Sequence, residues 1–213
     1  MAIFEKGILG GFSGKVGNVV GSRWRGKDVM RSLPQRGKYT PTPKQLEQRE
    51  KFKAVILFLT PIISVVSLYF GNRQGDKSRF NIATSYHLKE AVVDSPLGYV
   101  IDFTKVLISK GDLRGLDRGA VSAAAGQTLN FSWADNSGQG NASPFDELIV
   151  VVYAPDLDTF YTNLSVDTRD ATSGSVTLPA FMAGFDVEVW ASFNKPDTNL
   201  AAISTYLGRV TMV

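Results

Sequence analysis

The stretch Thr42–Phe70, TPKQLEQREKFKAVILFLTPIISVVSLYF, decides how the rest of the chain is read. Thr42 is an N-cap residue. Pro43 takes the first helical position, where its missing N–H costs nothing. Gln45, three residues after the cap, completes a T-x-x-Q capping box. The helix is expected to run to about Leu59. Pro61 removes a backbone donor and clashes one turn back, so the helix kinks or restarts there. Gly71 ends the second piece near Phe70. The first half of the stretch is charged, whereas Ala54–Phe70 contains no Asp, Glu, Lys or Arg.

Upstream, Gly14–Leu33 (GKVGNVVGSRWRGKDVMRSL) reads as a β-hairpin. Val16, Val19, Val20, Trp24, Val29 and Met30 favour strand, and Arg25-Gly26-Lys27 supplies the turn. The preceding GGFSG suits a close approach to another backbone. Pro34, Pro41 and Pro43 with Gly37 make an extended connector, because a residue before proline is pushed out of the helical region.

Downstream, Ser78 caps a second predicted helix, RFNIATSYHLKEAVV, ended by Asp94-Ser95-Pro96. From Gly98 the pattern turns to strand, with Tyr99, Ile101 and Phe103 alternating against Val100 and Asp102, and continuation to Ile108 is expected. Further strands are expected over 127–134, 147–154, 159–166, 174–178, 185–193 and 203–213, with a short one at 119–123. About seven strands suffice for a β-sandwich. The predicted class is α+β, with a basic hairpin and two helices over 1–97 and an antiparallel sandwich over 98–213. A helix apolar all round must be buried all round, and one small sandwich covers a single face of it. Ile56, Phe58, Ile62, Val65 and Leu68 are therefore expected at a subunit interface. The seventeen residues 54–70 fall short of the about 20 that a bilayer span needs, and Thr60, Pro61, Ser64 and Ser67 interrupt them, so no span is favoured.

Two resemblances follow from particular residues. TLNFSWADNS and VTLPAFMAGFDVEVWASF place Trp133 on an early strand, Leu178 before a Gly184 turn, and Val187, Val189 and Ala191 in alternation. This region resembles a fibronectin type III or related immunoglobulin-like sandwich and implies that fold for roughly the last 90 residues. GKVGNVVGSRWRGKDVMRSLP, TPKQLEQREKF and the later FSW, VVVYAP and YLGRV segments make the whole chain similar to an uncharacterised protein family of Bacteroidota. That resemblance implies no activity.

The net charge of +3 conceals a gradient. Residues 1–53 hold twelve Lys+Arg against four Asp+Glu, and residues 121–213 hold three against ten. Such asymmetry points to a polyanion or to a head-to-tail partner of opposite charge. The chain has no cysteine, which excludes disulfides and thiolate metal sites. MAIFEKGILGGFSGKVG is broken by Glu5 and Lys6 and is not read as a secretory signal, so a cytoplasmic protein or a component of an assembled particle is expected.

Catalytic patterns are weak. GGFSGK has Leu9 where a P-loop needs its first glycine and Val16 where it needs Ser or Thr. His87 is the single histidine, no G-x-S-x-G places a nucleophile near it, and a partly buried helix residue is the reading preferred. Asp135, Ser137, Gln139, Gly140 and Asp146 match a calcium-loop template poorly, with Ser and Gln lacking carboxylates. Asp156/Asp158 and Asp167/Asp170 read as surface turns. No cofactor or metal is expected, and no enzyme. The stronger candidate is the basic hairpin. Lys15, Arg23, Arg25, Lys27, Arg31, Arg36 and Lys38 surround Trp24 and Tyr39, as phosphate contacts and base stacking require. The expected function is a structural, self-assembling protein, forming homo-oligomers as a phage-like particle or filament component. The basic end of one copy is expected to meet the acidic end of the next. Nucleic-acid binding through the hairpin is the alternative. A ligand for the sandwich at the 135–145 loop is a third reading.

Overall fold

The computed structural model describes residues 3–4, 10–24, 26–35, 37, 40–72, 74–96, 98–196 and 198–213. It divides into two compact units, Met1–Gln45 and Leu46–Val213. The boundary expected at residue 97 is corrected. The helices share one hydrophobic core with strands of the sandwich, so they belong to its unit.

Met1–Gln45 is a small antiparallel sheet. Strands β1 (Ile3–Phe4), β2 (Phe12–Val16), β3 (Val19–Trp24) and β4 (Lys27–Ser32) pair in chain order. The predicted hairpin is present as β3–β4, with Trp24 opposite Lys27 and Gly26 at φ +76° in the turn, a conformation that suits glycine. GGFSG, expected to precede the strands, instead contributes Phe12–Gly14 to β2, which pairs with β3. Gly21 makes that approach feasible: a Cβ there would lie 2.3 Å from the Phe12 carbonyl oxygen. Among the residues of this unit whose side chains are described, only Gly21 is buried, so these residues form no hydrophobic core of their own.

The helical stretch forms as the sequence predicts. Helix α1 spans Pro43–Leu59 and α2 spans Ile63–Tyr69. The Thr42 N–H donates to Gln45 Oε1 at 3.1 Å, one half of the capping box. The two helices are bent by 92° at the Pro61 break. Among the described residues no single helix is long and apolar enough to cross a membrane. Helix α3 spans Arg79–Glu90, capped by Ser78 Oγ accepting from the Asn81 N–H. It ends three residues earlier than expected, because β-branched Val92 and Val93 begin a hairpin, β5 (Val92–Ser95) with β6 (Gly98–Ile101). Strand β6 does not reach Ile108. Asp102 accepts from the Thr104 N–H and starts a 3₁₀ turn at Phe103–Lys105.

Seven strands complete the chain: β7 (Ala120–Ala124), β8 (Thr128–Ser132), β9 (Glu147–Ala154), β10 (Thr159–Asn163), β11 (Ser173–Thr177), β12 (Asp186–Asn194) and β13 (Thr205–Thr211). They form one sheet in the order β10-β9-β12-β13 and a second in the order β11-β8-β7, antiparallel throughout. The resulting architecture is α+β with antiparallel C-terminal sheets, the class the sequence predicts.

The larger sheet is buried on both faces. Leu148, Val150, Val152 and Val187, Val189, Ala191 and Phe193 meet Leu129, Phe131 and Trp133 across the sandwich. Ile149, Val151 and Trp190 instead join Val55, Phe58, Leu59, Ile62, Val65 and Val66 of the helical layer. Successive strand residues point to opposite faces, so β9 supplies both layers. This corrects the expectation of an interface at Phe58, Ile62 and Val65. They are buried within one chain, because the sandwich offers the helices a whole outer sheet face. Ile56 is half-buried and Leu68 is exposed. The apolar residues left exposed on the bent pair are Leu46, Phe52, Leu57, Ile63 and Leu68, with Leu57 the most exposed at 64 %.

Candidate functional site

Strand register sorts the basic residues of the N-terminal sheet onto faces. Lys15 pairs with Val20, Val20 with Arg31, and Trp24 with Lys27. Paired residues share a face, and every second residue along a strand returns to it. One face therefore carries Lys15, Val20, Trp24, Lys27, Val29 and Arg31. The other carries Phe12, Val16, Arg23, Asp28 and Met30, with Arg23 directly opposite Asp28. Trp24 is 59 % exposed and Met30 68 %, and every residue of β4 is exposed. The sequence separates Trp24 from Arg23. Only the register shows that Trp24 instead joins three other cations. Arg25, Arg36 and Lys38, also named from the sequence, lie outside the described residues. The Trp24 face presents a flat ring beside ammonium and guanidinium groups. That chemistry suits carboxylates or phosphates flanking an aromatic or apolar group.

His87 is spent inside the helical core. It is fully buried. Nδ1 donates to the Ala83 carbonyl at 2.8 Å, and Nε2 accepts from the Leu107 N–H at 3.4 Å. Burial holds its pKa below the ordinary 6.5, partly offset by the bond to Ala83. The unfolded chain therefore takes up a proton that the folded chain refuses. Stability is full above pH ~6.5 and falls as pH drops from there toward the depressed folded pKa. Urea midpoints measured at about pH 7.5 and about pH 5.5 are expected to fall with pH, and His87→Gln to flatten that change. Equal changes in both proteins would contradict the assignment.

At one end of the sandwich, Arg169 organises three segments. It is fully buried, with its guanidinium 3.9 Å from the centre of the Phe193 ring. Nε and Nη2 each lie 3.1 Å from Asp146 Oδ2, Nη1 donates to Asn136 Oδ1, and Nη2 donates to the Arg114 carbonyl at 2.9 Å. Asn136 in turn donates to the Gly115 carbonyl, and Trp133 Nε1 to the Arg169 carbonyl at 2.7 Å. Loops 111–115, 135–146 and 168–171 are thereby pinned together. Asp146, the last position of the calcium template, is bound to Arg169, while Asp135 at its first position is exposed. Among the described residues no group of three or more His, Cys, Asp or Glu is placed to hold a metal ion. An open groove of about 500 Å³ lies between Gly111–Gly115, Gln139–Asn141 and Ile203. Sequence reading singled out Asp167 and Asp170 but missed Arg169 between them. The available signal was that only three cations stand among ten acids in residues 121–213.

Acidic side chains on this end are held by local bonds. Asp135 Oδ1 accepts from the Ser137 N–H at 2.8 Å. That bond, with further bonding to Ser137 and the charge of Arg169, lowers the Asp135 pKa. Asp167 Oδ1 accepts from the Thr168 N–H, and Asp170 Oδ1 from the Thr168 hydroxyl. A second cation of the acidic region, Arg209, is paired with buried Glu188, which also accepts from the Tyr206 hydroxyl. Burial and that bond push the Tyr206 pKa up to about 12.

No curated protein matches the chain. Among solved structures, the fn3 domain of the human collagen alpha-1(XX) chain is similar at 19% identity and a TM-score of 0.32. The match covers 49% of this chain and 89% of that one. The family match is broader, extending over residues 11–208 and so across both units, and by it the chain belongs to DUF6266, a family of unknown function.

Proposed function

We propose that the protein is a non-enzymatic structural component that assembles with copies of itself, in a cytoplasmic particle or filament such as a phage-like one. The observation that carries this reading is the N-terminal sheet. It exposes Trp24 and Val29 on one face and Val16 and Met30 on the other, and among its described side chains only Gly21 is buried. A sheet of so few strands is marginal until something covers it, and exposed apolar groups rimmed by charge mark interaction surfaces. The charge gradient supplies the partner. Twelve cations in residues 1–53 complement ten acids in residues 121–213 of a neighbouring copy. A contact between two different surfaces propagates into rings or filaments. Light scattering on the full chain is expected to give a mass above 23.2 kDa at low salt, falling as salt is added. A mass of 23.2 kDa at every concentration and salt would overturn the reading.

A second reading rests on Trp24 sharing its face with Lys15, Lys27 and Arg31. Single-stranded nucleic acid binds such faces by stacking and phosphate contact. Replacing the three cations with Ala would then reduce the salt slope by about 0.7 per lost phosphate contact. Absence of any binding to single-stranded oligonucleotides at low salt would remove this reading.

A further inference from the structure

We infer that the Arg169-braced loop end of the sandwich is the acceptor that receives the Trp24 face of a second copy, with Phe145 as its apolar centre. This rests on the self-assembly reading and specifies where the second surface lies.

Phe145 is 69 % exposed although its turn is tightly held. The Phe145 N–H lies 3.3 Å from Ser143 Oγ, the Ser143 N–H donates to Asp146 Oδ2 at 2.8 Å, and Asp146 is fixed by buried Arg169. An exposed aromatic ring on an ordered turn keeps little conformational entropy to lose on binding, which suits an anchor. Carboxylates stand on the segments bonded to that turn. The Asp170 N–H donates to the Pro144 carbonyl, and the Leu148 N–H to the Asp167 carbonyl. Asp135 precedes Asn136, which bonds Arg169. Asp135, Asp167 and Asp170 are all exposed. Arg169, the nearest cation in sequence to two of them, is turned inward and fully buried. Arg114 and Arg118 are the exposed cations on the adjoining 111–118 segment, set against Asp112 and Asp117 there.

The two surfaces are complements. One places Trp24 on a face with Lys15, Lys27 and Arg31; the other has Phe145 on a turn tied to the segments that carry Asp135, Asp167 and Asp170. An aromatic pair with oppositely charged rims gains area from the rings and register from the charges. The contact uses a different surface on each copy, so each joined pair retains one free donor and one free acceptor.

The test uses full-length variants, each checked for an unchanged far-UV spectrum and melting temperature. A donor-blocked protein carries Trp24→Ala, Lys27→Glu and Arg31→Glu. An acceptor-blocked protein carries Phe145→Ala, Asp167→Lys and Asp170→Lys. Each alone is expected to lose higher assembly, with association weakened by about tenfold or more. Mixed one to one, they are expected to form a discrete dimer through the remaining intact pair of surfaces. Assembly of the acceptor-blocked protein at wild-type strength would overturn this acceptor while leaving self-assembly intact. Two blocked proteins that fail to dimerise on mixing would overturn the pairing. A wild-type chain that stays monomeric would overturn self-assembly itself. If the acceptor variant fails to fold, Phe145→Ala alone serves, with the same tenfold weakening expected and wild-type association contradicting the acceptor.

Discussion

Arg169→Ala is expected to destabilise the Leu46–Val213 unit by about 3–5 kcal/mol, because it strands a fully buried carboxylate. For a unit of this size that corresponds to a fall in melting temperature of roughly 6–20 °C. Among the described residues, Arg169 is the one cation paired with Asp146. Its Oδ2 is shared by Arg169 and the Ser143 N–H, and its Oδ1 is buried without a hydrogen-bond partner. Removing the guanidinium also frees Asn136 Oδ1 and the Arg114 carbonyl, so loops 111–115 and 135–146 lose their shared brace. The unpartnered Oδ1 sharpens the expectation for a paired replacement. Because the ion pair already carries an uncompensated desolvation cost, Arg169→Met with Asp146→Leu should recover most of the lost stability. Thermal melts of the single and double variants decide this. A single variant within about 1 kcal/mol of wild type would show that the brace is not ionic.

Phe58→Ala is the second large effect. Phe58 is the point where the bent helices meet the outer face of the sandwich. Its ring contacts Phe103, Tyr153, Phe160 and Trp190, with centroids 5.1 to 6.3 Å apart. Truncating a buried aromatic of this kind leaves a cavity that its packed neighbours cannot fill, at a cost of about 3–5 kcal/mol. Leu57, its neighbour in sequence, is exposed, and Leu57→Ala is expected to change stability by no more than about 0.5 kcal/mol. Urea denaturation of the two variants tests which side of α1 is core. Equal losses from both would contradict the packing described here, and so would a larger loss from Leu57→Ala.

Much of this architecture could be read from local chemistry. The bond from the Thr42 N–H to Gln45, the break at Pro61 and the Ser78 cap are decided within a few residues, so they appear where the sequence places them. The strand positions from β7 to β13 follow from runs of strand-forming residues, alternating in β8 and β12, and from the turn residues between them. What the sequence did not disclose was the number of layers. Residues 148–154, LIVVVYA, form an unbroken apolar run rather than an alternating one, which is the mark of a strand buried on both faces. Read as such, it would have placed the helices on the outer face of the sheet and removed the need for a partner at Phe58, Ile62 and Val65. The misreading beyond Glu90 has a simpler origin. Val92 and Val93 fit a helix face as well as a strand, and the hairpin with β6 decided between them.

The candidate surface was legible in composition but not in geometry. Lys15, Lys27 and Arg31 are visible as a basic cluster around Trp24. That all four share a face depends on the pairing of three strands, one of which runs through a glycine-rich segment. Arg169 was invisible for a different reason. A charged residue in a polar turn is ordinarily solvated, and only the tertiary fold reveals that this one is buried against Asp146 and Phe193.

The most direct test of the central claim is sedimentation velocity of the full chain at low salt across a series of protein concentrations. The predicted result is a ladder of species growing with concentration and collapsing toward a single boundary as salt is raised. A single species of 23.2 kDa at every concentration would contradict it.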